Sequence, residues 1–187
     1  MKYRLKRPSQ INRSRLLATL AAVAVAGILV VSITRAAKPA GSGNHGGGSG
    51  KTASSQLYLS PAKSSVSAGQ TFTVQVHANS GTQSVNAVQA DLSYPADKLS
   101  FVSLDDSTSA FTIKAIGDGS TPGTVHIARG NTTALTGDQL VATVTFTAKP
   151  AKGAATVSFL PSSALVTSDS HANIATTTSG GTYSIAK

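Results

Sequence analysis

The sequence predicts an all-β fold, an antiparallel, jelly-roll-like β-sandwich of about nine strands, preceded by one N-terminal transmembrane helix. Three observations carry the β assignment. From Gln56 onward, short runs alternate apolar and polar residues, and a period of two leaves one strand face buried and the other wet. Turn residues break many of these runs, as in GDGSTPG at 117–123 and SGG at 179–181. All seven acidic residues are Asp; Glu, a helix former, is absent, and no amphipathic helix is legible after residue 38.

The N-terminal segment 1–15 is basic and reads as cytoplasmic. Residues 16–34, LLATLAAVAVAGILVVSIT, carry no charge. As a helix at ~1.5 Å per residue they span about 28 Å, close to a bilayer core. Positive flanks stay inside, so the C-terminal part is expected outside the membrane. The uncleaved signal anchor is favoured because the apolar run exceeds the usual signal-peptide core; cleavage near Ala36 is the alternative and gives a secreted chain. Residues 35–55 form a Gly/Ser-rich linker, with six glycines among the ten residues Gly41–Gly50. The linker contains GGGSGKT, Gly46–Thr52, which imitates a phosphate-binding loop. Its first required glycine falls on His45, and no strand precedes it, so it reads as plain linker.

The domain, 56–187, opens with the strand Gln56–Ser60, stopped by Pro61. In Thr71–Asn79, Phe72, Val74, Val76 and Ala78 face one way and Thr71, Thr73, Gln75 and His77 the other. In Val85–Tyr94, Val88, Ala90, Leu92 and Tyr94 alternate with Gln89, Asp91 and Ser93; in Leu99–Leu104, Leu99, Phe101, Val102 and Leu104 supply apolar cover. Further strands are expected at 111–116, 123–129, 139–148, 155–160, 174–178 and 182–186.

Net charge is +9, but the excess is local: eight of the sixteen basic residues lie in 1–38, where there is no acid. The domain is nearly neutral and carries no basic footprint, which argues against a nucleic-acid partner. Cysteine is absent, which excludes disulfides and thiol chemistry.

Four stretches carry a family resemblance. Gly69–Val74 (GQTFTV) is followed by Ala90–Leu99 (ADLSYPADKL), then Gly123–Ala128 (GTVHIA), then Asp138–Phe146 (DQLVATVTF). Their order and spacing resemble those of cohesin modules, which share a β-sandwich superfamily with some cellulose-binding modules. The likeness spans Gln56–Lys187. It implies a protein-docking module for a dockerin-like or cell-surface protein partner, linked to polysaccharide-degrading machinery. The family often carries polar or acidic residues two apart just before the position of Ala90; here those places hold Ala87 and Gln89, with Asp91 on the same face. The expected partner-binding face is therefore Gln89, Asp91 and Ser93, with Thr124 and His126 on a strand that neighbours it in the family. A solvated sheet face is the plain alternative at each of these positions.

Two other functions compete. A carbohydrate-binding module would grip polysaccharide through exposed rings. The chain has no Trp, and most domain aromatics fall on the apolar phase of their strands. A structural spacer would show a uniform Ser/Thr face. Catalysis has little support: Asp169-Ser170-His171 has the letters of a triad, but adjacent loop residues do not meet in triad geometry. No cofactor is implied. Calcium is the one ion the acids raise, at Asp105-Asp106 and Asp118, but neither place has an EF-hand spacing. His77, His126 and His171 do not form a metal-ligand spacing.

Overall fold

The computed structural model describes residues 54–115 and 117–186. The expected anchor at 16–34, the basic segment 1–15 and most of the linker, with its GGGSGKT stretch, lie outside the described residues. Within them the chain forms thirteen strands and no helix. These are β1 (Gln56–Ser60), β2 (Lys63–Ser67), β3 (Thr71–Asn79), β4 (Val85–Ser93), β5 (Leu99–Asp105), β6 (Ile113–Lys114), β7 (Gly119–Thr121), β8 (Thr124–Leu135), β9 (Asp138–Ala148), β10 (Gly153–Phe159), β11 (Ala164–Thr167), β12 (Thr177–Ser179) and β13 (Gly181–Ala186).

Two sheets result. One runs β12-β1-β3-β9-β5; the other runs β2-β13-β10-β4-β8-β6, with β11 also against β4 and β7 also against β8. Most pairings are antiparallel, but β1–β12 and β2–β13 are parallel. The sandwich expectation holds, and alternation explains it. Val74, Val76 and Ala78 of β3, Val88, Ala90 and Leu92 of β4, Val125 and Ile127 of β8 and Val144 and Phe146 of β9 all point into one shared core. Phe146 lies among Phe72, Tyr94 and Phe101, with ring centroids 6.0, 5.1 and 6.5 Å away. Fully burying side chains of this size stabilises by about 1.5–3 kcal/mol each.

Several details depart from the expectation. Strand β2 (KSSVS) has no signature in the sequence, because only Val66 in it is apolar; it is an edge strand held by backbone pairing to β13. Strands β7 and β11 are too short to show periodicity. Where a strand is expected at 174–178, β12 starts only at Thr177 and runs to Ser179, and the strand expected at 111–116 is confined to Ile113–Lys114. Val102 does not cover the core: β5 shifts register between Phe101 and Ser103, and Val102 is turned out, 52% exposed. The SGG turn is tighter than a loop. Gly181 already pairs with Val157, and a Cβ there would collide with the buried Tyr183 ring.

A buried ion cluster joins the sheets at one edge. The Arg129 guanidinium, on β8, is paired with Asp118 and, at 2.8 Å, with Asp106, which follows β5 in the other sheet. Asp118 also accepts the Ala128 N–H at 2.8 Å. Lys114 Nζ stands 3.8 Å from both carboxylates. Two of the acids that raise the question of calcium thus face a guanidinium. Removing one partner of a buried pair leaves an uncompensated charge. Arg129→Met is expected to lower stability by about 3–5 kcal/mol in urea unfolding. Adding Asp118→Asn should recover part of that loss, and strict additivity of the two substitutions would refute the coupling.

Candidate functional site

The outer face of the larger sheet brings the five expected residues together. Register places Asp91 opposite His126, Ser93 opposite Thr124, and Gln89 opposite Ala128 across β4 and β8. Gln89 and His126 are exposed, while Ser93 and Thr124 are half-buried. Their hydroxyls already have neighbours: Ser93 Oγ donates weakly to the Ser158 carbonyl at 3.5 Å, and Thr124 shares a hydrogen bond with Thr121 at 2.5 Å.

Asp91 corrects the expectation. It lies on the outward phase of β4 but is only 4% exposed. The cause is a change of neighbour along that strand. β10 pairs with β4 at Leu92 and Ser93, whereas β11 pairs with it from Val85 to Gln89. The turn Leu160–Ser163 bridges the gap and folds over Asp91. Ser163 Oγ accepts the Asp91 N–H at 3.1 Å, and the Leu160 N–H donates to the Asp91 carbonyl at 2.7 Å. The carboxylate receives Gln89 Nε2 and Ser162 Oγ, each at 2.6 Å, and faces His126 Nδ1 at 3.1 Å. Burial pushes the Asp91 carboxyl up, but the hydrogen bonds from Ser162, Gln89 and His126, with the charge of His126, outweigh it and hold it below the usual carboxylate value.

Beside this polar network lies an apolar trough of about 340 Å³. Its floor is Ala87 on β4 and Ala128 and Gly130 on β8. One wall is Ala164 and Val166 of β11; the other is Ile113 of β6, 47% exposed. Short side chains on adjacent strands make the depression, and Gln89 marks where it meets the polar end. Sequence reasoning missed the trough because its walls come from two short strands. The β-branched pair Val166-Thr167 after Leu165, between two Ser-rich turns, was the one available signal for β11.

The smaller sheet presents a different outer face, with Thr71, Thr73 and Gln75 of β3 opposite Thr147, Thr145 and Thr143 of β9. Tyr58 and His77 stack there, with ring centroids 4.9 Å apart and planes 18° from parallel. Tyr58 donates to Asp138 Oδ2 at 2.5 Å, while His77 Nδ1 lies 3.3 Å from Oδ1 without hydrogen-bond geometry. Burial, reinforced by the hydrogen bond and charge of Asp138, pushes the Tyr58 phenol up to about 12. Each of the two rings turns a face to the other, so they do not lie flat as a platform for a sugar.

The remaining candidates have local roles. Asp105 accepts the Ser107 N–H at 2.9 Å. Asp169 accepts the Ser170 N–H at 2.6 Å, and Ser170 Oγ bonds Thr167 Oγ1 at 2.8 Å, so these groups shape their own turn. His171 is exposed in the same turn, at a φ of 54°. Among the described residues, no group of three His, Cys, Asp or Glu side chains gathers as a metal site.

The profile of the cohesin domain matches residues 58–185. The chain belongs to the cohesin family. Solved cohesins share its fold at low identity. A non-cellulosomal cohesin from Archaeoglobus fulgidus superposes with a TM-score of 0.60 at 15% identity, covering 72% of this chain and 93% of that one. The cohesin module of a family 33 glycoside hydrolase from Clostridium perfringens gives 0.57 at 14%, covering 70% and 96%. A type I cohesin–dockerin complex from Clostridium thermocellum gives 0.54 at 10%, covering 71% and 99%. No curated protein matches.

The Asp91 network has a pH signature. Its carboxyl is held below the ordinary value, so the stabilisation is complete above the unfolded value and is lost as pH falls through the folded one. The urea midpoint should therefore drop below about pH 4. Asp91→Asn should remove this part of the slope, and an unchanged slope would refute it.

Proposed function

We propose that this cohesin domain is a non-catalytic docking module that binds a dockerin-like protein through the outer face of β11, β4, β8 and β6. One observation carries the reading: that face is mixed, with the trough at one end and the Asp91–His126 network at the other. An apolar depression rimmed by polar groups is the pattern of a protein interface, with anchors for affinity and polar positions for specificity. The spacer alternative calls for a uniform Ser/Thr face without a patch. The carbohydrate alternative calls for rings in a flat line, which the Tyr58–His77 pair does not offer. A cohesin from Clostridium thermocellum is solved with its dockerin, which supports the choice of partner.

The same reading places the domain outside a membrane. The uncharged run at 16–34, the basic residues before it and the glycine-rich linker after it support a tethered receptor at the cell surface. Residues of the partner would then bring whatever chemistry the assembly performs, and the family resemblance points to polysaccharide degradation.

Residues 52–187, immobilised, are expected to retain a member of a dockerin panel and to leave a polysaccharide panel in solution. The double variant Ile113→Asp, Ala128→Arg should abolish retention while unfolding at an unchanged urea concentration. Retention on polysaccharide without a protein partner overturns the proposal. The anchor has a separate check: mass spectrometry of the membrane fraction should find an intact Met1 end, and a mature end near Lys38 refutes it.

A further inference from the structure

The groups that hold Asp91 turn their donors inward. An ionised carboxylate accepts and has no proton to give. Gln89 therefore directs its amide N–H at Oδ2, and Ser162 directs its hydroxyl hydrogen at the same oxygen. His126 faces Oδ1 through Nδ1, which must then carry the proton. In the neutral ring this leaves Nε2 bare. What remains outward is one sign of hydrogen-bonding group: Gln89 Oε1, the Ser162 lone pairs and His126 Nε2 are all acceptors. The outward positions of β11, β4 and β8 in this patch hold no Lys or Arg, the trough-lining Arg129 is neutralised by Asp118 and Asp106, and Asp91 is the only formal charge at those positions while His126 is neutral.

Resting on the docking reading, we propose that the polar end of this face selects a protein partner that presents a lysine or arginine side chain opposite Gln89 and His126, beside an apolar side chain seated in the trough. Asp91 does not touch that cation. It is a positioning residue, fixing the Gln89 amide and the His126 tautomer and giving the patch its negative charge. Protonating His126 reverses the preference, because Nε2 then becomes a donor on a cation. Few other charges bear on that ring. Asp91 faces it from β4, and its partner on β7 is Gly119. Asp118, next to Gly119, is turned to Arg129 and the Ala128 N–H, and Lys114 of β6 is paired with Asp106 and Asp118.

Two measurements on the full chain test this. Nitrogen NMR of the neutral His126 ring should show the Nδ1–H tautomer. An Nε2–H tautomer overturns the inference whether or not the face docks a partner. The second probe is a displayed library of one dockerin domain with its exposed helical positions randomised. Panned under conditions where that NMR signal reports a neutral ring, it should enrich Lys and Arg over Asp and Glu by about tenfold. That ratio should collapse on Asp91→Asn and invert under conditions where the same NMR signal reports a protonated ring. Enrichment of acids while the ring is neutral, or equal ratios on Asp91→Asn and the parent, overturns the inference and leaves the docking reading standing. An absence of any binder overturns the docking reading and the inference with it. Should Asp91→Asn fail to fold, the exposed substitution Gln89→Met replaces it, and there too the basic preference should weaken.

Discussion

One apolar layer between two pleated sheets holds this domain together, and every other feature depends on the pleat that keeps it facing inward. The chain has no cysteine to staple it. A strand slipped by one residue would turn its whole core set to solvent. Register is therefore fixed wherever both faces differ, as in β4, where Val88, Ala90 and Leu92 point in and Ala87, Gln89 and Asp91 occupy the outward phase. The bulges are where the constraint relaxes. β3 shifts after Val76, β5 after Phe101 and β11 after Val166, and the shift in β5 releases a valine to the surface.

Arg129 and Asp91 are both buried, and their charges are accommodated in opposite ways. Arg129 is met by formal counter-charges drawn from the excursion between β5 and β8, so it ties that excursion to the sheet. Asp91 is met mainly by neutral donors, Gln89 and Ser162, with His126 as the one titratable neighbour. The first arrangement neutralises charge and acts as a clasp. The second keeps a negative charge close under the surface and orients the groups around it. Both ions are met by hydrogen bonds, as burial of a charge requires, although Arg129 Nε has no partner of its own.

The strands with clean alternation, β3, β4 and β9, were legible in the sequence because their pattern is local. The five candidate face residues were legible for the same reason, and they lie on one face. What could not be read was decided by partners far along the chain. Asp91 sits on the wet phase of its strand, yet Ser162 and Ser163, about seventy positions later, cover it. Arg129 stands in a strand pattern, and nothing beside it reveals that Asp118 and Asp106 will close on it. The trough needed β6 and β11, two and four residues long, too short for any period to show.

The way the trough is assembled has a consequence for divergence. Its floor belongs to β4 and β8, whose inward residues build the core, so those strands change only under the packing constraint. Its walls belong to two appended segments, the excursion carrying Ile113 and the stretch carrying Ala164 and Val166. Outward substitutions in the walls reshape the depression without touching an inward residue. A domain built this way can drift in partner choice while its framework stays fixed. The two kinds of change are carried by different parts of the chain, so selection can act on one without eroding the other.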